Sequence, residues 1–265
     1  AASDVYKRQV LWPENSTDID PVLDFESHQI VMGALAISNR PILVGAVTDG
    51  PGKDERQTAS MWWPPSSPQP TSTYHKRNLV PFGEWIPARS FFLPLIPVLG
   101  NIGRQSVPGT TPGVLDATIA GQKVPVGVVV CFEVAHDGTV ADTVRHGAKI
   151  LVVQSNNSSF IDTAQTPQQW QITRARAIET GRHIVVSTTN SFSGLVNPDG
   201  SVAVRTNEGG HTHFTVTMPL ESGLTMGVRI APRLRVIILV IAAGAIAVSL
   251  LQRRRAMLAQ ANHNR

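Results

Sequence analysis

Residues 123–130, KVPVGVVV, form a short run that is apolar almost throughout, rich in β-branched side chains and closed by Cys131. A strand with one face in water alternates polar and apolar residues. A run without alternation has to be covered on both faces. Residues 149–154 (KILVVQ) have the same character, and 41–47 (PILVGAV) and 183–189 (HIVVSTT) also read as strands. Residues 10–12 read as the end of a buried strand running into Pro13-Glu14, and 58–63 as a further strand. Helices are expected between these runs. One opens with Asp20 as cap and Pro21 at its first position and continues to about Ser38. A second covers 137–147. A third has Thr166 as cap, Pro167 at the first position and Gln169 at the third, and ends at Thr180 before Gly181, a left-handed C-cap. Strands interleaved with helices predict the α/β class. Turns at 49–52 (DGPG) and 197–200 (NPDG), the latter leading to a strand at 201–206, make the sheet mixed.

The charge is unevenly placed. The 265 residues carry a net +4, yet seven Arg and no acidic residue lie from Arg229 onward, which leaves 16 Lys+Arg against 19 Asp+Glu in the rest. The globular part is therefore slightly acidic, and no nucleic-acid partner is expected. The excess flanks residues 236–251 (VIILVIAAGAIAVSLL), which carry no charge. With Leu234 and a snorkelling Arg235 this predicts a transmembrane helix over 234–251, followed by a basic tail over 252–265. Residues 1–9 (AASDVYKRQ) fit no element and read as a non-native extension on a fragment whose folded sequence starts at Val10. A single cysteine excludes an intramolecular disulfide framework, and the eight His show no metal-ligand spacing, so no metal is expected.

The sequence holds no G-x-S-x-G elbow, H-E-x-x-H, Walker loop or G-x-G-x-x-G. Cys131 is the sharper signal, because a strand end can lift a nucleophile out of a sheet, although a buried Cys also simply fills core. A thiol nucleophile needs a base, and its transition state needs a cation or donors for the oxyanion. Glu14 after Trp12-Pro13 is a candidate base. Lys76 lies in the dense run 74–84 (YHKRNLVPFGE). Taken singly, Glu14 also reads as a carboxylate at a helix N-terminus and Lys76 as a solvated loop lysine.

Taken in order, W-P-E (12–14), Y-x-K-x-x-L-V-P-F-G-E (74–84) and C-F-E (131–133) resemble the Glu-Lys-Cys signature of the carbon–nitrogen hydrolase (nitrilase) superfamily. The L-V-P-F-G-E run and the C-terminal apolar segment resemble one branch of it, the bacterial apolipoprotein N-acyltransferases. Ser155-Asn156-Asn157, Gln169, the stretch 174–182 (RARAIETGR), Thr189-Asn190 and Pro198-Asp199-Gly200 follow the same pattern, so the resemblance covers residues 10–251. It implies a nitrilase-like α-β-β-α sandwich over 10–228, without the strand and helix that precede W-P-E in the family, and one C-terminal transmembrane helix. It places the catalytic domain on the outer side of the bacterial cytoplasmic membrane, with Arg253 to Arg255 inside.

The resemblance further implies that Cys131 takes an acyl chain from a phospholipid donor as a thioester. The acceptor is the α-amine of an apolipoprotein's diacylglyceryl-modified N-terminal cysteine, and no cofactor takes part. Glu14 is the implied base, and Lys76 with a backbone N–H beside Cys131 holds the oxyanion. Glu84 and Glu133 would orient Lys76 or support the thiol, whose pKa is expected to fall from ~8.5 toward neutrality. Phe132 fits the pattern, whereas Asn190-Ser191-Phe192-Ser193 departs from it, since Gly soon after the Asn is commoner. In residues 89–103, Phe91, Phe92, Leu93, Leu95 and Ile96 are interrupted by Pro94 and followed by Pro97. This reads as a lid dipping into the membrane interface or as a loop packed on the domain. Trp62-Trp63 reads as an interfacial anchor or a buried strand end. Two other functions stay open: a membrane-tethered amidase using water as acceptor, against which the 79–84 run speaks, and a non-catalytic tethered binding domain, against which the complete Glu14, Lys76 and Cys131 set speaks.

Overall fold

The computed structural model describes residues 9–210 and 212–263, so the expected extension at 1–9 lies outside the described residues except for Gln9. The chain divides into two units, Ala1–Thr225 and Met226–Arg265.

The first unit is built on two sheets. One contains β1 (Val10–Leu11), β2 (Ile42–Asp49), β3 (Glu55–Trp63) and β4 (Ser72–His75) in that order, with β5 (Gln105–Ser106) also pairing β3. The other contains β6 (Val114–Ile119), β7 (Gln122–Val130), β8 (Ile150–Ser155), β9 (Ile184–Thr188), β10 (Gly194–Val196) and β11 (Val202–Arg205), in the spatial order β11-β10-β9-β8-β7-β6. Strands β7, β8 and β9 are parallel, and the hairpins at either side are antiparallel, so the sheet is mixed as expected.

Alternation explains why the apolar runs show no polar face. Leu43, Trp62 and Tyr74 of the first sheet meet Leu115, Val126, Val128, Val130, Val152 and Val185 of the second in one buried cluster between the sheets. The neighbouring residues point the other way. Ile42, Val44, Ala46, Ala59, Met61 and Trp63 pack beneath Val31 and Leu35 of helix α1 (Phe25–Ser38). After the short helix α2 (Arg89–Leu95), helix α3 (Asp137–Arg145) packs on β7 and against α4 (Gln165–Thr180). The four layers are the expected α-β-β-α sandwich, with each fully buried Val, Leu or Ile contributing roughly 1.5–3 kcal/mol. Trp62 lies between the sheets and Trp63 under α1, so both are buried strand-end residues and neither is an interfacial anchor.

Two helix starts differ from the sequence reading. Asp20 caps a turn, its carboxylate accepting from Val22 N–H at 2.8 Å and Asp49 N–H at 3.1 Å. The helix cap is Asp24, which accepts from Ser27 N–H at 2.8 Å, so α1 begins at Phe25. Helix α4 begins at Gln165, which places Thr166 inside its first turn, buried. Gly181 has φ 62° and closes α4 as expected, its N–H bonded to Ala177 O at 2.8 Å.

The second unit is one helix, α5 (Met226–His263). Its stretch Val236–Arg254 is long and apolar enough to cross a membrane, and none of that stretch is buried in protein.

Candidate active site

Three strand ends carry the candidate residues. Beyond β1 the chain hugs β2, with Trp12 N–H on Leu43 O (2.9 Å) and Ser16 N–H on Gly45 O (2.7 Å). Gly45 permits this approach: a Cβ there would lie 2.1 Å from Pro13 O and 2.8 Å from Glu14 Cα. Glu14 is buried, and its Oε2 accepts from Asn156 N–H at 2.7 Å. Immediately after β4, Lys76 is held by its N–H on Thr58 O (2.8 Å) and by its carbonyl, which accepts from Gly109 N–H (2.8 Å). Its side chain is 1% exposed, and Nζ reaches Glu14 Oε1 at 3.3 Å and Glu84 Oε1 at 2.9 Å. Glu84 is aimed by the tight turn 80–84, in which its Oε2 accepts from Val80 N–H at 2.6 Å. Lys76 is therefore an ion-paired residue between two carboxylates.

Cys131 follows β7 with φ 51°, a left-handed conformation that a side chain rarely adopts, and starts the 3-10 turn Cys131–Ala135. Such strain at a strand end turns the side chain out of the sheet. Glu133 in that turn is 0% exposed and accepts four hydrogen bonds. They come from Tyr74 Oη (2.7 Å), Arg77 N–H (2.7 Å) and Asn78 N–H (3.0 Å) on Oε1, and from Val130 N–H (2.9 Å) on Oε2. It ties the loop after Lys76 to the strand that carries Cys131. Of the two supporting carboxylates, only Glu84 contacts Lys76.

The site holds its protons tightly. Burial, opposed by Lys76 and Asn156 N–H, raises the Glu14 carboxyl above the usual range. Burial, then the Glu14 carboxylate, pushes the Cys131 thiol up to about 12, against the opposing pull of Lys76. Burial would lower Lys76, but the carboxylates of Glu14 and Glu84 outweigh it and hold the ammonium protonated. The expected fall of the thiol pKa is thus reversed, because desolvation of an anion exceeds the attraction of one cation already shared by two carboxylates. The resting site is a neutral thiol beside the Glu14 carboxylate and the Lys76 ammonium.

Two residues quoted from the sequence without a role also reach the sulphur. Asn157 Oδ1 lies 3.9 Å and Gln169 Nε2 3.8 Å from Cys131 Sγ. Nothing local marks them, since they come from the loop after β8 and the second turn of α4.

The residues read as lid or packed loop stand apart from the core. Helix α2 contains Pro94 and buries no residue, with Phe91 62% and Leu95 65% exposed, Ile96 exposed, and Phe92 and Leu93 half-buried. Phe92 meets Phe91 edge-on at 5.1 Å and Phe82 at 5.5 Å. Phe82 belongs to the turn that aims Glu84, so the apolar surface and the Lys76 partner share one loop.

The sequence pattern of the carbon–nitrogen hydrolase family matches residues 33–223. The chain belongs to the carbon–nitrogen hydrolase family. Among curated relatives, a protein of Mycolicibacterium smegmatis named apolipoprotein N-acyltransferase is 35% identical over 93% of this chain and 41% of its own length. One of the same name from Bdellovibrio bacteriovorus is 31% identical over 73% of this chain and 37% of its own length. The chain thus spans about two fifths of these relatives. Solved structures share the fold. Saccharomyces cerevisiae Nit3, of the nitrilase superfamily, superposes with a TM-score of 0.57 at 16% identity over 77% of this chain and 74% of Nit3. An amidase from Nesterenkonia sp. gives 0.54 at 16% identity over 76% of this chain and 73% of its own.

Proposed function

We propose that this chain carries the catalytic domain of a phospholipid-dependent N-acyltransferase acting on the diacylglyceryl-modified N-terminal cysteine of bacterial apolipoproteins. The observation that carries the reading is the shared loop. Glu84, which pairs with Lys76, and Phe82, which packs on the exposed Phe91 and Phe92, belong to one turn. Thiol chemistry and a lipid-facing surface are thereby coupled, and the names of the similar curated proteins agree with that pairing.

In the first half-reaction, Glu14 takes the thiol proton as Sγ attacks the ester carbonyl of a phospholipid. Lys76 and the backbone N–H of Phe132 face the developing oxyanion. Collapse breaks the ester C–O bond, Glu14 returns the proton to the leaving alkoxide, and lysophospholipid departs. In the second, the acceptor amine attacks the thioester and Glu14 takes its proton, then the C–S bond breaks and Glu14 returns that proton to the departing sulphur. Glu84 keeps Lys76 in place, and Glu133 fixes the loop that carries it. Phe91, Phe92, Leu93, Leu95 and Ile96 meet the acyl region at the membrane interface. The domain over 10–228 stands on the outer side of the cytoplasmic membrane, residues 234–251 span it, and 252–265 lie inside.

Intact mass after incubation with phospholipid vesicles tests this. The expected result is an acyl-sized adduct on Cys131 that hydroxylamine removes, that Cys131→Ala lacks, and that passes to a diacylglyceryl-cysteine peptide. A folded protein without the adduct that hydrolyses small amides would overturn the reading in favour of an amidase.

A further inference from the structure

Besides Glu14 and Lys76, two amides converge on the nucleophile's sulphur. Asn157 is buried, and its Nδ2 donates to Gln169 Oε1 at 2.5 Å. That bond decides which way the Gln169 amide faces. With Oε1 engaged, Nε2 points to Cys131 Sγ (3.8 Å) and Ser155 Oγ (3.3 Å). Asn157 Oδ1 in turn lies 3.9 Å from the same sulphur, in position to accept the thiol hydrogen. Cys131, Asn157 and Gln169 form a closed ring of side chains from the segments just after β7 and β8 and from the second turn of α4.

We propose that Gln169 is a donor to the Cys131 sulphur that acts when negative charge builds there, and that Asn157 is the positioning residue that aims it. The inference rests on Cys131 being the nucleophile of the proposed reaction. A thiol or thioester sulphur is a weak acceptor, whereas a thiolate takes a charge-assisted bond. When the proton leaves Sγ for Glu14 and the Sγ–C bond forms, the sulphur passes through thiolate character. It does so again when the C–S bond of the thioester breaks and before the proton returns. An N–H aimed at it therefore binds both transition states more strongly than the states on either side, which is the condition for acceleration. Asn157 Oδ1 serves the resting state by holding the S–H.

The test is alkylation of Cys131 by iodoacetamide, followed by peptide mass in the full-length protein without phospholipid or lipoprotein. Gln169→Met keeps the side-chain length and removes the donor. It is expected to slow alkylation at pH 8 at least about tenfold, the scale of one hydrogen bond to a charged group. Gln169→Glu, which sets an anion on the sulphur, is expected to slow it further. Asn157→Ala leaves the Gln169 amide free to turn and is expected to slow it as well, while Asn157→Ala with Gln169→Met is no slower than Gln169→Met alone. Melting temperatures of the four variants report folding separately. Alkylation of Gln169→Met within twofold of the wild type, or additive losses in the double variant, would overturn the inference. Because alkylation needs no acyl donor, slowed variants of a protein that forms no acyl adduct would support this inference and count against acyl transfer. Unchanged alkylation in a protein that does form the adduct would overturn this inference alone.

Discussion

Replacing Glu14 with Gln is expected to move two properties of Cys131 in opposite directions. The Glu14 charge is, after burial, the largest influence holding the thiol at about 12 rather than at the ordinary 9. At pH 8 such a thiol is ionised to about one part in 10⁴. A neighbouring charge shifts a pKa by roughly 1–3 units, so removing it should raise the thiolate fraction at least about tenfold. Iodoacetamide reacts with the thiolate and should alkylate the variant about tenfold faster. Acylation, in contrast, loses its general base, a loss of roughly 10²–10⁴ in rate, or about 3–5 kcal/mol of barrier. The structure adds a third effect. Oε1 accepts from Lys76 Nζ and Oε2 from Asn156 N–H, and the amide of Gln can accept at only one of these places. One donor is left facing NH₂, which costs about 1–3 kcal/mol, a fall of roughly 2–4 °C in Tm per kcal/mol at this size. Alkylation is read by mass at pH 8, and acylation by the hydroxylamine-sensitive adduct. A variant that alkylates no faster than the wild type and acylates within tenfold of it would refute the reasoning, because Glu14 would then neither hold the thiol proton nor take it.

Gly45→Ala sets a Cβ 2.1 Å from Pro13 O, a backbone atom that cannot step aside cheaply. The Glu14 segment should shift and adduct formation fall by about 10², and a variant of unchanged rate would show that Glu14 tolerates displacement. Stability should fall steeply on the alkaline side. Cys131 and Lys76 both hold their protons more tightly folded than unfolded, so their contribution is complete below about pH 9 and is lost as pH rises toward 12. Thermal melts from pH 8 to 11 should show this slope, and Cys131→Ala should flatten part of it; a parallel slope would contradict the assigned thiol. Joint replacement of Phe91, Leu95 and Ile96 by Ser should leave Tm within about 1 °C, because no residue of α2 is buried and Ile96 beyond it is exposed. The same variant should lose most acylation from vesicles while keeping it from detergent-dispersed short-chain donor, and equal rates on both donors would detach the segment from the membrane.

Much of the sandwich was legible because its strands are covered on both faces: Leu43 serves one layer and Ile42 and Val44 the other, which removes alternation from the sequence. The candidate residues Glu14, Lys76 and Cys131 were legible as an ordered pattern, and the left-handed cap at Gly181 as a single residue type. Where two signals of equal strength competed, the sequence misled. Asp20 before Pro21 and Asp24 before Phe25 both look like caps, and only the folded chain shows that Asp20 is committed to Val22 and Asp49. Strand β10 is three residues long, too short for any period to register. The direction of the thiol shift was inverted because a list of nearby charges contains no burial. Gln169 and Asn157 had no reason to be paired until β8 and α4 were placed in space.

The same distinction explains how the site keeps its alignment. Glu14 and Lys76 follow strands of the first sheet and Cys131 a strand of the second, and the apolar packing between the sheets is non-directional, so it fixes spacing better than register. Direction comes from buried polar ties across the interface. Gln154 of β8 donates to Trp12 O (2.6 Å) and accepts from Ser60 Oγ (2.5 Å), while Glu133 gathers Tyr74, Arg77 and Asn78. The first tie grips the chain two residues before Glu14 from β8, and the second brackets Lys76 from the turn that begins at Cys131. Left half-made, either tie would strand a buried donor or charge, so each strongly favours one register over its neighbours. The proposed reaction, which passes one proton between Cys131 and Glu14 under the charge of Lys76, needs all three placed to a fraction of an ångström, and these two ties meet that requirement where packing alone would not.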